Sequence, residues 1–142
     1  MRFTRSNVIL ITIILVTIGG AYHITATELN KESYHFYIKG IHLYQGYAFT
    51  DLNNKESPHI FGPKDSIISV DLINDDKDLD SYDFNIDALS VHSNPIPYPQ
   101  HATINFLAGK EGTFTYYSKL HPDMNGIIIV KSTEDPTIIK HS

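Results

Sequence analysis

Gly112-Thr113-Phe114-Thr115-Tyr116-Tyr117-Ser118-Lys119-Leu120-His121-Pro122-Asp123-Met124-Asn125-Gly126, followed by Ile127-Ile128-Ile129-Val130, is the stretch that decides the fold. Thr113 to Tyr117 and Ile127 to Lys131 are β-branched and aromatic, which predicts two strands. Between them a turn carries His121 and Met124 on either side of Pro122-Asp123. An imidazole and a thioether presented from a turn between strands are soft donors of the kind that hold a metal ion on a small β-sandwich.

Working back from this stretch, the same composition recurs in short runs. Tyr34-His35-Phe36-Tyr37-Ile38, Gln45 to Phe49, Ser66 to Ile73, Phe84-Asn85-Ile86-Asp87 and His101 to Leu107 each predict a strand. Gly62-Pro63-Lys64-Asp65 predicts a turn, because glycine tolerates unusual φ and proline fixes its own. Lys110-Glu111-Gly112 predicts a hairpin turn. Pro95, Pro97 and Pro99 make Ser93 to Pro99 an extended segment outside any ladder. Asn74 to Asp83 is an acidic loop with Asp75, Asp76, Asp78 and Asp80, read as a solvated turn. It lacks the glycine and terminal glutamate of a helix–loop–helix calcium site. Seven or eight short strands, and no convincing helix after the first apolar segment, predict an all-β sandwich.

Charge and cysteine content exclude several functions. The chain has 142 residues, net charge -5 and no cysteine. No disulfide, iron–sulfur cluster or thiolate-ligated copper centre can form. Both arginines, Arg2 and Arg5, precede the first apolar segment, so no basic stripe exists for nucleic acid.

Val8 to Ala21 is almost wholly apolar. Extended to Phe3 and Ile24, it has about the length that crosses a bilayer. Arg2 and Arg5 before it, and Glu28 and Glu32 after it, place the N-terminus in the cytoplasm and the remainder outside. The expectation is a single-pass cell-membrane protein, with a secretory signal peptide as the rival reading. The predicted organisation is a stub and anchor at 1–26, a tether at 27–33, a β-sandwich at 34–132 and a tail at 133–142.

From Tyr82-Asp83-Phe84-Asn85-Ile86-Asp87 through Val130 the chain resembles a cupredoxin. The family pattern is a His-Asn-Phe-like strand, a proline-containing connection, and a Gly-Thr-Phe/Tyr-x-Tyr-Tyr-Cys-x-x-His-Pro-x-Met-x-Gly run. The resemblance implies a Greek-key β-sandwich, here with one N-terminal transmembrane helix. It also implies four copper-ligand positions. The first histidine falls on Tyr82 and the cysteine on Ser118, while His121 and Met124 are retained. A serine hydroxyl is a hard, neutral donor and cannot supply the thiolate bond of a blue-copper centre. A tyrosine ligates only as phenolate, far from its charge state at neutral pH.

His121 and Met124 are therefore the candidate metal ligands, with His92 as the first recruit and His101 and His59 behind it. Tyr82 and Ser118 are degenerate ligand positions. No catalytic residue is predicted. Ser118 and His121 invite a hydrolase reading, but no orienting acid or oxyanion site is signalled. The expected role is an accessory, non-enzymatic subunit of a membrane complex, its partners integral membrane subunits and the lipid bilayer. The resemblance suggests a copper oxidase or monooxygenase as the complex. No resident cofactor is expected; the alternative is copper binding or delivery through a weak His/Met site.

Overall fold

The computed structural model describes residues 32–133 in full. Before them it describes the backbone of three short strands, β1 (Arg5–Ser6), β2 (Ile14–Thr17) and β3 (Gly20–His23). The remainder of the expected anchor, most of the tether, and nearly all of the tail lie outside the described residues. Among the described residues no helix is long and apolar enough to cross a membrane.

The body is two facing sheets. In the first, β4 (Ser33–Leu43) runs parallel to β7 (Ile67–Ile73), and β12 (His101–Leu107) pairs antiparallel with β7. β5 (Gly46–Thr50) folds back on the second half of β4, and β1 pairs with its start. In the second sheet the order is β10 (Val91–His92), β9 (Asn85–Ile86), β13 (Gly112–Tyr117), β14 (Asn125–Lys131) and β6 (Ile60–Pro63). A small ladder, β8 (Ser81–Tyr82) with β11 (Ile96–Pro97), closes one end.

Alternation explains the core. In β4, Phe36, Ile38 and Gly40 are buried, while His35, Tyr37 and Lys39 turn away from the core. Ile68, Val70 and Leu72 of β7 meet them, and Ile128 and Val130 of β14 face back from the other sheet. At the centre Phe49, Phe84 and Tyr116 cluster, with Phe84 stacked on Tyr116 at 5.2 Å between ring centroids.

Four sequence expectations need correction. Where a transmembrane helix was expected, Ile14–Thr17 and Gly20–His23 pair as antiparallel strands, and Arg5–Ser6 pairs with the start of β4. Gly62 and Pro63 belong to strand β6, and the turn follows at Lys64-Asp65. β6 is an edge strand paired only with β14, where a missing N–H is tolerated. Ser93 to Pro99 is not wholly outside the ladders, because Ile96 and Pro97 pair with Tyr82 and Ser81. The strand expected over Phe84 to Asp87 shortens to Asn85–Ile86: Phe84, Asn85 and Ile86 are all enclosed, and Asp87 already begins a 3₁₀ turn, Asp87–Leu89.

Candidate functional site

The chain leaves β13 after Tyr117 and enters β14 at Asn125, and the seven intervening positions, Ser118 to Met124, form a self-bonded loop. Ser118 N–H donates to the Met124 carbonyl at 3.0 Å. Met124 N–H donates to the His121 carbonyl at 2.9 Å. His121 N–H donates to Ser118 Oγ at 3.1 Å. Ser118 and Met124 are fully buried, and His121 is half-buried.

Asp83, which sequence reasoning did not single out, organises this loop. It follows β8 directly and is buried. Its Oδ1 accepts from Ser118 Oγ at 2.8 Å, from Lys119 N–H at 2.8 Å and from Leu120 N–H at 3.3 Å. Its Oδ2 accepts from Asn85 Nδ2 at 3.0 Å. Burial alone would raise the carboxyl pKa. The hydrogen bonds from Asn85, Ser118, Leu120 and Lys119 outweigh it, so the group is held below its ordinary 3.8.

The Ser118 hydroxyl is consequently saturated. It has one hydrogen to give and two lone pairs. The hydrogen goes to Asp83, and the lone pairs face the N–H groups of His121 and, at a longer 3.4 Å, Asp83 itself. Nothing on that oxygen is left for a cation.

Tyr82 does not enter the loop. Its ring lies over Gly40, where a Cβ would stand 2.5 Å from Cε1. Its hydroxyl donates to the Ile73 carbonyl at 3.0 Å. Burial drives its pKa well above the ordinary 10, so a phenolate ligand is further disfavoured. Ser81, one residue earlier, is the group that meets the loop: its carbonyl accepts from His121 Nε2 at 2.9 Å. A carbonyl only accepts, so the neutral imidazole carries its hydrogen on Nε2. Its Nδ1 lone pair makes no hydrogen bond among the described residues.

The hairpin of β4 and β5 holds the loop from outside. The Tyr47 ring packs on the His121 ring at 4.0 Å between centroids. Tyr47 N–H donates to Asp123 Oδ2 at 2.7 Å. Gly46 makes this approach geometrically available. Its φ of 103° favours glycine, and a Cβ there would lie 2.2 Å from Asp123 Oδ2.

The other histidines are engaged elsewhere. His92 Nδ1 meets Asn85 Oδ1 at 3.0 Å, and Asp87 lies 3.9 Å away. Through Asn85 it joins the Asp83–Ser118 network rather than the His121 ring. His101 pairs with Asp75 at 2.8 Å, and His59 faces the Phe61 ring. Among the described residues no three His, Asp or Glu side chains converge to hold a metal ion. Ser118 meets Asp83 directly with no imidazole between them, so a nucleophile–base pair is not assembled at this loop.

The residues do not fit a type 1 copper centre: the thiolate position is a saturated hydroxyl, and the first histidine position is a core tyrosine. Asp83 and Asn85 had one signal in the sequence, polar residues alternating within an apolar run. That pattern equally describes a solvated strand face.

No family model matches this chain, and no curated protein matches it. Solved structures do. A copper nitrite reductase from Nitrosomonas europaea superposes with a TM-score of 0.62 at 16% identity, covering 73% of this chain and 43% of that one. A multicopper oxidase gives 0.61 at 15% identity, covering 74% and 44%. A chain of a heme-copper terminal oxidase dimer gives 0.53 at 19% identity, covering 70% and 64%. This chain thus spans less than half the length of the first two proteins. At such identities the likeness is one of fold, and the fold of this chain is cupredoxin-like.

Proposed function

We propose that this chain is a membrane-anchored, extracytoplasmic cupredoxin-like domain acting as an accessory subunit of a membrane oxidase or monooxygenase complex, without being an enzyme itself. One observation carries the proposal. The Ser118 hydroxyl is consumed by Asp83 and by the loop's own N–H groups, so the stretch that would frame a redox metal is a closed structural element. The composition of the apolar run from Val8 to Ala21, with Arg2 and Arg5 before it, supports the anchor with residue 1 on the cytoplasmic side; the pairing of Ile14–Thr17 with Gly20–His23, and of Arg5–Ser6 with β4, stands against it. The fold likeness to a heme-copper terminal oxidase chain supports the choice of complex. Isolation of the full chain from its native membranes tests the proposal. The chain should resist alkaline extraction and co-isolate stoichiometrically with integral membrane subunits. A chain recovered without a stable partner overturns it.

A second reading is copper binding or delivery, favoured by the open Nδ1 of His121, with the thioether of Met124, three positions on in the same loop, as the other soft donor. Copper(I) accepts both donor types, and His92 would need to leave Asn85 to join them. Metal analysis with His121→Ala as control decides it. Stoichiometric copper lost in the variant supports the site, and no binding at micromolar copper rejects it.

A further inference from the structure

Strand β12 closes its sheet on one side only. β7 lies against it, and no described strand lies beyond. The ladder is flanked by Asn74 N–H donating to the Gln100 carbonyl and Ala108 N–H donating to the Ser66 carbonyl. This phase turns the backbone groups of Ala102, Ile104 and Phe106 toward β7. Those of His101, Thr103, Asn105 and Leu107 therefore point to the open side.

Exposed edges of this length are ordinarily blunted by lysine, proline or a bulge. β12 has none of these: it reads His-Ala-Thr-Ile-Asn-Phe-Leu in unbroken register with β7. Its inner face is also incomplete. Ala102 is exposed and Ile104 half-buried, above a groove of about 300 Å³ whose apolar lining includes Leu72, Pro95 and Ile96. Among the described residues, unpaired backbone and uncovered apolar surface thus coincide on one strand.

The charges flanking the strand select the occupant. Asp71 and Asp75 bond Thr103 and His101 at the start of β12, and the adjoining loop adds Asp76, Asp78 and Asp80 against Lys77. At the other end the exposed lysines Lys64 and Lys110 flank Leu107, accompanied by Asp65 and Glu111. One end is acidic and the other balanced. A second copy arriving antiparallel sets each acidic end beside the other's lysines and keeps the two acidic ends a full strand apart.

We propose that β12 pairs antiparallel with β12 of a second copy of this chain, around a two-fold axis at Ile104. The outward phase of the backbone then sets Thr103 opposite Asn105 and His101 opposite Leu107. Ile104 meets its own counterpart on the inner face, over the groove, and two sheets become one continuous sheet.

The absence of cysteine makes a direct test available. The full chain is purified in non-ionic detergent and its mass measured by sedimentation with the detergent contribution subtracted. Single-cysteine variants are then oxidised mildly. Ile104 is a non-hydrogen-bonded position in the proposed ladder, where facing Cα atoms lie about 4.5 Å apart, within disulfide reach. The expected result is a dimeric mass and a covalent dimer from Ile104→Cys. That dimer should form roughly a hundredfold faster than from Leu52→Cys on an exposed loop, because pairing raises the local thiol concentration from micromolar toward millimolar. His101→Cys, which faces Leu107 and not itself, should match Leu52→Cys. A monomeric mass at micromolar concentration overturns the proposal. So does an Ile104→Cys rate equal to the loop control, or cross-linking in membranes to a different protein.

Discussion

Ser118 Oγ donates to Asp83 Oδ1 at 2.8 Å, joining the position where the cupredoxin pattern has its cysteine to the residue just after the one where it has its first histidine. The same carboxylate oxygen accepts two backbone N–H groups from the loop. Asp83→Ala leaves the buried Ser118 hydroxyl and the two half-buried N–H groups without their acceptor, so a loss of about 3 kcal/mol is expected in urea unfolding. The pH dependence follows from the depressed pKa. The carboxylate's contribution is complete above the unfolded value near 3.8 and disappears as pH falls through the lower folded value. Stability of the unmodified chain should therefore fall below about pH 4 more steeply than that of Asp83→Asn.

Ser118→Cys restores the missing element of the metal-binding pattern yet should not restore the site. The carboxylate that accepts from Ser118 Oγ would oppose a thiolate there, raising the thiol pKa. Tyr82 remains committed to the Ile73 carbonyl. Copper(II) added at neutral pH should give no intense thiolate charge-transfer absorption. A strong visible band would show that the loop still assembles the older geometry.

Gly46 and Asp123 should behave as a coupled pair. Asp123→Ala removes the acceptor for Tyr47 N–H and should cost about 1 kcal/mol. Gly46→Ala places a side chain at φ 103° and drives Cβ onto Asp123 Oδ2, so its cost should be larger, about 2–3 kcal/mol. With Asp123 already alanine, the steric part disappears and only the backbone part remains. A double-mutant cycle measured by denaturant unfolding should show that non-additivity.

Tyr82→Phe should cost about 1 kcal/mol, the net worth of its hydrogen bond to Ile73. Gly40→Ala should cost about 3 kcal/mol, because the new Cβ falls 2.5 Å from the Tyr82 ring and 2.8 Å from Leu79 Cδ2. Thermal unfolding of the two variants separates the polar from the packing contribution.

The strands were legible from their β-branched and aromatic composition, but which face is buried was not always so: Ile127 to Val130 is apolar throughout, and only the fold turns Ile128 and Val130 inward. The turn carrying His121 and Met124 was legible from its glycine, proline and polar residues. β6 was not, since Gly62-Pro63 carries the local signature of a turn while its pairing with β14 is a long-range fact. The same limit hid the Asp83 network. Asp83 and Ser118 are 35 positions apart, and local polarity does not tell whether an aspartate faces water or a loop brought to it by folding. His92 lies in β10, and its engagement with Asn85 depends on the register of Val91 with Ile86, which local sequence does not disclose.

The Tyr82 ring on Gly40 makes the two positions one mutational unit. Gly40 tolerates the tyrosine because it has no side chain, and the tyrosine in turn forbids any side chain at 40. A lone substitution at either end meets resistance from the other: a histidine at 82 would leave unfilled volume above Gly40, and a larger residue at 40 has no room while the ring is there. A metal site built at this end of the sandwich would therefore need exchanges in β4, β8 and the Ser118 loop made together, since the Gly40–Tyr82 contact couples the first two and the Asp83–Ser118 bond the last.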